Sequence, residues 1–364
     1  MGITLDLRSA QAADVHVGRS PLAELLTVLH ILAEPDHHPE AQRWTRRLLD
    51  ARLDEGLRDE MSALSPLWAR LRCRLLFPLA APLDGSFEDE LGHLETLSQQ
   101  EFVGLCAQGA LGFLEDVPPA RMLLHDPVAA QAYVTQCERR SFRRGALAYD
   151  LVTSPERVRA RLIGFLRECS AAFFASEWRL LHDRLEPAVA QLRTDVRRRD
   201  LAEVLAGLSP TAVVSKDGAK VRYDKLAIAD IPVGPRPLFI IPSVHGWPHL
   251  TVKDEEPFPI VVQFAALAGR AAEQLTLRQL HERLTVLASP GRMELCRHLL
   301  GEPITTSELA QRLGLADTQV SRSIRQLREA GLIESEREGR YVYHRLATST
   351  LLRLGQDALA TIMR

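Results

Sequence analysis

The stretch TTSELAQRLGLADTQVSRSIRQLREAGLIESEREGRYVYHRL, residues 305–346, decides the fold of the C-terminal part of the chain. Thr305 can cap a helix that ends at Gly314. Asp317 can cap a second helix, which stops at Gly331. The residues after it alternate between apolar and polar around an internal glycine, which predicts a two-stranded hairpin. Helix, tight turn, helix and hairpin in this order predict a winged helix-turn-helix, whose second helix lies in the major groove of DNA.

The second helix has an apolar inward face and a polar outward face. On a 3.6-residue period Val320, Ile324 and Leu327 point inward. The outward residues include arginine and glutamine, which can bind guanine and adenine through paired hydrogen bonds. Arginines that flank the hairpin tip would reach phosphates or the minor groove. The predicted DNA-contacting residues are Thr306, Ser307, Thr318, Gln319, Ser321, Arg322, Arg325, Arg337 and Arg340.

The arginines admit a simpler interpretation, because exposed arginine is common on helix surfaces without any ligand. In isolation, Arg322 and Arg325 would be interpreted as solvated charges. The complete motif around them favours DNA contact instead.

Two further helices are predicted before this stretch. Residues 275–288 (LTLRQLHERLTVLA) place four leucines, at 277, 280, 284 and 287, on one face. Ser289-Pro290 then begins a helix that runs to Gly301, since serine is a good N-cap and proline suits the first helical position. A terminal helix is expected at about 349–363.

The remainder of the 364-residue chain is long enough for one or two more folding units. The pattern is mostly helical to about residue 207, beginning with a helix from Pro21 to Leu32 that Ser20 caps. Short β-branched runs between residues 210 and 265 predict a small sheet, with a hairpin turn at 216–218. The predicted fold class is therefore mainly α with a small β-sheet (α+β), in two domains, 1–270 and 271–364.

Composition restricts the class of protein. The net charge of -2 argues against coating nucleic acid over the whole surface but allows one local DNA-binding face. No apolar run approaches the roughly 20 residues of a membrane span, and the N-terminus lacks a secretory signal, so a cytoplasmic protein is expected. Five widely separated cysteines indicate buried free thiols rather than disulfides.

Motifs for enzymatic chemistry are missing from the sequence. It contains no GxSxG, P-loop, GxGxxG or HExxH pattern, so no enzyme and no cofactor are predicted. Two histidine groups invite a metal-site interpretation: His30, His37 and His38, and the HGWPH segment with His245 and His249. Neither group has Cys, Asp or Glu ligands at a recognisable spacing, so no metal site is predicted. Trp247 within HGWPH is expected to pack.

The segments ASPGRMELCRHLL, ITTSELAQRLGLADTQVSRSIRQLREAGLI and EREGRYVYHRL closely resemble the ArsR family of winged-helix regulators, over roughly Leu277 to Leu346. The resemblance implies a homodimer joined through terminal helices, two half-sites about one DNA turn apart, and usually repression. Founding members sense metals through a CxC pair in the helix before the turn. The matching TTSELAQRL contains no cysteine, so metal sensing there is not expected. At His344 the family more often has an aromatic residue.

The N-terminal segments SPLAELLTVLHIL, SFEDEL and PLFIIPSVHGWPHL resemble a large, poorly characterised domain that precedes this winged helix in a subset of actinobacterial ArsR-type regulators. We therefore expect a homodimeric repressor that binds a palindromic operator and is released by a small organic effector at the N-terminal domain. The effector-binding residues are unknown. One alternative is an effector-independent regulator whose N-terminal region serves dimerisation or protein interaction, and another is an enzymatic N-terminal domain.

Overall fold

The structure is a computed structural model that describes residues 2–35, 38, 53–69, 71–112, 116–247, 249–266, 275–299, 303–339 and 341–362. The chain divides into two compact units, Met1–Ala272 and Glu273–Arg364, called here the N-terminal unit and the C-terminal unit. Each unit has a hydrophobic core of its own. None of the helices in the described part of the chain is both long and apolar enough to cross a membrane.

Helices dominate the first part of the N-terminal unit. Within the described residues they are α1 (Pro21–Ala33), α2 (Glu55–Leu64), α3 (Phe87–Thr96), α4 (Gln99–Leu111), α5 (Ala120–His125), α6 (Pro127–Glu138), α7 (Phe142–Thr153), α8 (Pro155–Cys169), α9 (Ala175–Arg198) and α10 (Leu201–Ala206). A π-helical segment, Ser170–Phe174, joins α8 to α9. Ser20 caps α1 as predicted, since its hydroxyl accepts a hydrogen bond from the Ala23 amide at 3.0 Å.

The strands of the N-terminal unit form two mixed sheets. They are β1 (Gly2–Asp6), β2 (Val15–Val17), β3 (Val213–Val214), β4 (Lys220–Tyr223), β5 (Ile228–Pro232), β6 (Leu238–Ser243), β7 (Thr251–Lys253) and β8 (Ile260–Ala265). The sheet orders are β3-β4-β1-β5 and β2-β6-β8-β7. The predicted α+β class is confirmed, but two sheets form where one was expected, because each takes a strand from the N-terminus.

Helix α1 lies deep in the N-terminal unit. Every residue from Pro21 to Leu32 is buried, and the leucines share a core with apolar residues of β6 and β8. The helix also carries buried polar groups: the Glu24 carboxylate accepts hydrogen bonds from the amides of Val244 and His245, at 3.1 and 3.2 Å. The structure therefore covers α1 on all sides.

The C-terminal unit contains the predicted winged helix-turn-helix. Its helices are α11 (Leu277–Leu287), α12 (Pro290–His298), α13 (Thr306–Leu313), α14 (Asp317–Glu329) and α15 (Thr348–Ile362). Its strands are β9 (Ile304–Thr305), β10 (Ile333–Glu338) and β11 (Tyr341–Leu346), in the order β10-β11-β9. Strands β10 and β11 pair antiparallel and form the wing.

The start of α14 and the end of α12 bear on two of the predicted helix ends. The prediction that Asp317 caps α14 is wrong, because α14 begins at Asp317 itself and the capping position, Ala316, has no side-chain bond. Asp317 instead accepts a weak hydrogen bond from the Ser307 hydroxyl at 3.4 Å. Gly301, the predicted end of α12, lies outside the described residues.

Arg283 of α11 joins three helices of the C-terminal unit. Its Nε donates to the carbonyl of Ala330, directly after α14, at 3.0 Å. Its Nη1 lies 3.5 Å from a carboxylate oxygen of Asp357 on α15, and both side chains are largely buried. The two terminal helices are therefore tied to the end of α14 through one guanidinium group.

All five cysteines are buried and free, as predicted from their separation.

Candidate functional site

Helix α14 presents its polar face to solvent. Val320, Ile324 and Leu327 are buried in the core of the C-terminal unit, which fixes the rotation of the helix about its axis. The predicted DNA-contacting residues of this helix, Thr318, Gln319, Ser321, Arg322 and Arg325, are all exposed. The structure therefore places these five side chains together on one open surface, called here the recognition face.

The two arginines of the recognition face differ in their local partners. Within the described part of the chain, Arg322 takes part in no hydrogen bond or ion pair. The Arg325 Nε lies 3.1 Å from the Glu329 carboxylate, one helical turn away, with both side chains exposed. An exposed pair of this spacing stabilises by only about 0.3–0.5 kcal/mol, so Arg325 can exchange Glu329 for a phosphate or a base at little cost.

The turn between α13 and α14 depends on a glycine. Gly314 ends α13 with φ +64, in the left-handed region where a side chain is strained. Leu309 and Ala310 of α13 are buried against the core, which holds α13 beside α14. Ser307 at the start of α13 is exposed and Thr306 is half-buried.

His344 connects the wing to the start of α13. Its Nε2 lies 3.0 Å from the Thr306 hydroxyl and its Nδ1 lies 2.8 Å from the Ser335 hydroxyl, so β11, α13 and β10 meet at one buried imidazole. Burial lowers the pKa of His344, and the nearby Arg328 acts in the same direction. His344, a position where the family more often has an aromatic residue, therefore orients both Thr306 and the wing through hydrogen bonds.

The tip of the wing carries one described arginine. Arg337 is exposed, and its Nε donates to the Gly339 carbonyl at 3.2 Å. Gly339 has φ +59, which is consistent with the predicted tight turn. Arg340 lies outside the described residues, so the prediction for this side chain stays a prediction.

The leucine stripe of α11 is divided between core and solvent. Leu280 and Leu287 are buried, whereas Leu277 and Leu284 are 58% and 45% exposed. On α15, which packs beside α11, Leu352 and Ile362 are 79% and 68% exposed. These four exposed apolar side chains of the terminal helices are together called here the terminal-helix face.

The N-terminal unit holds a histidine cluster that sequence reasoning missed. His30 on α1, His38 after it and His249 after β6 bring ring nitrogens within 4.8 Å of one another. In the sequence these residues belong to two separate groups. His38 and His249 are 211 residues apart, and no spacing rule relates positions at that separation. His245 belongs to the same loop as His249 but not to the cluster.

A family model and two curated relatives agree with the winged helix. A family model described as a helix-turn-helix domain matches residues 287–336. The HTH-type transcriptional regulator NmtR of Mycobacterium tuberculosis is 30% identical over 95 residues, which are 26% of this chain and 75% of that protein. The biofilm growth-associated repressor of Agrobacterium fabrum is 31% identical over 101 residues, 28% of this chain and 81% of that protein.

Among solved structures, an ArsR-like transcriptional regulator from Rhodococcus sp. RHA1 is 24% identical and matches with a TM-score of 0.21, covering 22% of this chain and 74% of that one. Fold, motifs and relatives define the C-terminal unit as a winged helix-turn-helix of the ArsR family of transcriptional regulators, as the sequence predicted. Residues 1–270 match the model of a family of unknown function, DUF5937. The chain belongs to this family.

Proposed function

We propose that this protein is a cytoplasmic, sequence-specific DNA-binding repressor that binds a palindromic operator as a homodimer. The observation that carries the proposal is the recognition face, where five hydrogen-bonding or basic side chains point away from a well-packed helix. Such a helix fits the major groove, which admits an α-helix and shows a distinct donor and acceptor pattern for each base pair. The regulators that match this unit support the same interpretation.

The proposed contacts divide into two kinds. Thr318, Arg322 and Arg325 lie at the centre of the recognition face and read base edges, with Gln319 and Ser321 at its margins. Thr306, Ser307, Arg337 and Arg340 bind the sugar-phosphate backbone and set the register of the protein on the duplex. The first group determines which sequence is bound, and the second contributes affinity for any sequence.

The terminal-helix face supports the homodimer. Two exposed leucines on α11 and an exposed leucine and isoleucine on α15 are an unfavourable surface for an isolated winged helix. A two-fold axis through this surface would bury the same residues of both copies and set the separation of the two recognition helices.

The N-terminal unit is proposed to sense an effector that favours one of two dimer states. Such control requires different affinities of the effector for the DNA-competent and DNA-incompetent states. A cleft of about 270 Å³ beside α1, lined in part by Leu22, Phe77, Glu90 and Leu94, is a candidate site. Because the family of residues 1–270 has no known function, the absence of an enzymatic activity stays a prediction.

Binding-site selection from genomic fragments tests the proposal. We expect a palindromic consensus with half-sites about one DNA turn apart. Arg322→Ala should then weaken binding to the selected operator by about 1–3 kcal/mol, roughly 5- to 150-fold, and relax sequence preference at one position of each half-site.

Arg297→Ala provides the matched control. Arg297 is an exposed arginine on α12 that pairs with Glu294 of its own helix at 3.0 Å, so its loss removes the same charge away from the recognition face. Equal affinities of wild type and Arg322→Ala for the operator, or a selection that enriches no sequence, would refute the proposed recognition.

A further inference from the structure

The histidine cluster of the N-terminal unit has a compact triangular geometry. The ring centroids of His30, His38 and His249 are 5.2, 5.2 and 5.4 Å apart. His30 and His38 are each only 3% exposed. Each ring offers one nitrogen to the group, and these three nitrogens all lie within 4.8 Å of one another.

The orientation of His30 is fixed by the backbone. Its Nδ1 lies 2.8 Å from the carbonyl oxygen of Trp68. Since a carbonyl only accepts, Nδ1 carries the proton and the lone pair of the neutral ring lies on Nε2. Histidine ligands of metals usually donate their second ring nitrogen in this way, which fixes both tautomer and ring orientation.

His249 supplies a second indication. Its Nε2 is buried and has no hydrogen-bond partner among the residues that the structure describes. A buried polar atom without a partner is uncommon in folded proteins, and a bound ion is one of its ordinary explanations.

The charged groups around the cluster act in opposite directions. The buried Arg72 guanidinium opposes any added cation, while the buried Glu24 side chain attracts Arg72. Arg72 is also held in place by a hydrogen bond, in which Nη1 donates to the Gln263 side-chain oxygen at 3.1 Å. A metal ion must therefore gain its affinity from direct nitrogen ligation rather than from the local field.

We propose that the N-terminal unit binds one transition-metal ion of the Zn²⁺ class through the ring nitrogens of His30, His38 and His249. Imidazole suits zinc, copper, nickel and iron, whereas calcium and magnesium require oxygen ligands. Metal-nitrogen bonds of about 2.0–2.1 Å in tetrahedral geometry place the nitrogens about 3.3 Å apart, so the widest pair must close by at most about 1.5 Å. The fourth position is left for water or an exogenous ligand.

This site is separate from the recognition face and lies in the other unit of the chain. The proposal does not depend on DNA binding, because its test measures metal binding directly.

The test uses the full-length chain, without a histidine tag, after metal removal. Isothermal titration with Zn²⁺ measures affinity and stoichiometry, and Co²⁺ absorption reports four-coordinate geometry. We expect one ion per chain, with no competition from Mg²⁺ or Ca²⁺. His249→Gln and His38→Gln should each weaken Zn²⁺ binding by at least about 100-fold, since loss of an outer-shell partner alone costs 10- to 100-fold.

His245→Gln is the matched control, because it removes a histidine from the same loop four residues before His249. This variant should bind Zn²⁺ as the wild type does. Circular dichroism confirms that each variant is folded, and a rise in Tm with Zn²⁺ should appear in the wild type and in His245→Gln only. A folded wild type that binds no stoichiometric ion would overturn the proposal. Wild-type affinity in His249→Gln and His38→Gln would do the same.

Discussion

Leu352→Glu is expected to separate the proposed homodimer into protomers. Leu352 lies on the terminal-helix face and is 79% exposed, the largest exposure among the four residues of that surface. Complete burial of a leucine side chain stabilises by roughly 1.5–3 kcal/mol. Burial of the exposed four fifths in each of two symmetry-related copies therefore contributes about 2.5–5 kcal/mol per dimer.

This free energy corresponds to an increase of roughly 100-fold to a few thousand-fold in the dimer dissociation constant. A buried carboxylate adds a desolvation penalty, so the upper end of the range is expected. The stability of each protomer should change little, because the side chain is already in solvent in the isolated chain.

Sedimentation equilibrium over a range of protein concentrations measures the dissociation constant directly. Leu226→Glu is the control: Leu226 is 57% exposed and lies in the N-terminal unit, away from the terminal helices in sequence. If Leu352→Glu and Leu226→Glu left the dissociation constant equally unchanged, the terminal-helix face would not be the dimer interface, and the dimer would have to form elsewhere.

Three further predictions concern stability. Leu327→Ala, which empties a fully buried position of α14, should lower the free energy of unfolding of the C-terminal unit by about 2–5 kcal/mol in urea titrations, whereas the exposed neighbour Gln326→Ala should change it little. Burial raises the pKa of Glu90 to about 8 from its ordinary 4.5, so the protonated form stabilises the fold fully below pH 4.5. This contribution is lost as the pH rises to 8, by at most about 1.4 kcal/mol per pH unit. Glu90→Gln should remove that slope, and identical pH profiles of the stability of the wild type and the variant would contradict the prediction. Burial lowers the pKa of His344, so the neutral ring stabilises the fold above pH 6.5 and this contribution is lost as the pH falls below 6.5. Below pH 6.5 the C-terminal unit should therefore lose stability more steeply in the wild type than in His344→Gln, as measured by unfolding midpoints.

The sequence predicted best those features that depend on neighbours along the chain. The buried side of α14 follows from the spacing of Val320, Ile324 and Leu327, and the cap of α1 follows from Ser20. In both cases the residues that interact are within one or two helical turns, where periodicity and capping rules apply. The winged helix is built largely from such local relations.

Features that depend on distant partners were not predictable in the same way. Strand β1 pairs with β4 and β5, whose residues lie more than 210 positions later, so no local pattern indicates the sheet that it joins. The partners of Glu24 on α1 are the amides of Val244 and His245, which are likewise distant in the sequence. The four leucines of α11 share one stripe, and their spacing does not indicate which two of them stay exposed.

The Arg283 contact would make the spacing of the recognition helices a mechanical property of the proposed homodimer. The Arg283 guanidinium contacts both the carbonyl that follows α14 and a carboxylate on α15. A rotation of either terminal helix would therefore displace the end of α14, the helix that is proposed to enter the groove. In a symmetric pair such a rotation acts on both recognition helices at once, and their separation changes by twice the movement of each. A small displacement of the terminal helices would then move both recognition helices relative to the two half-sites.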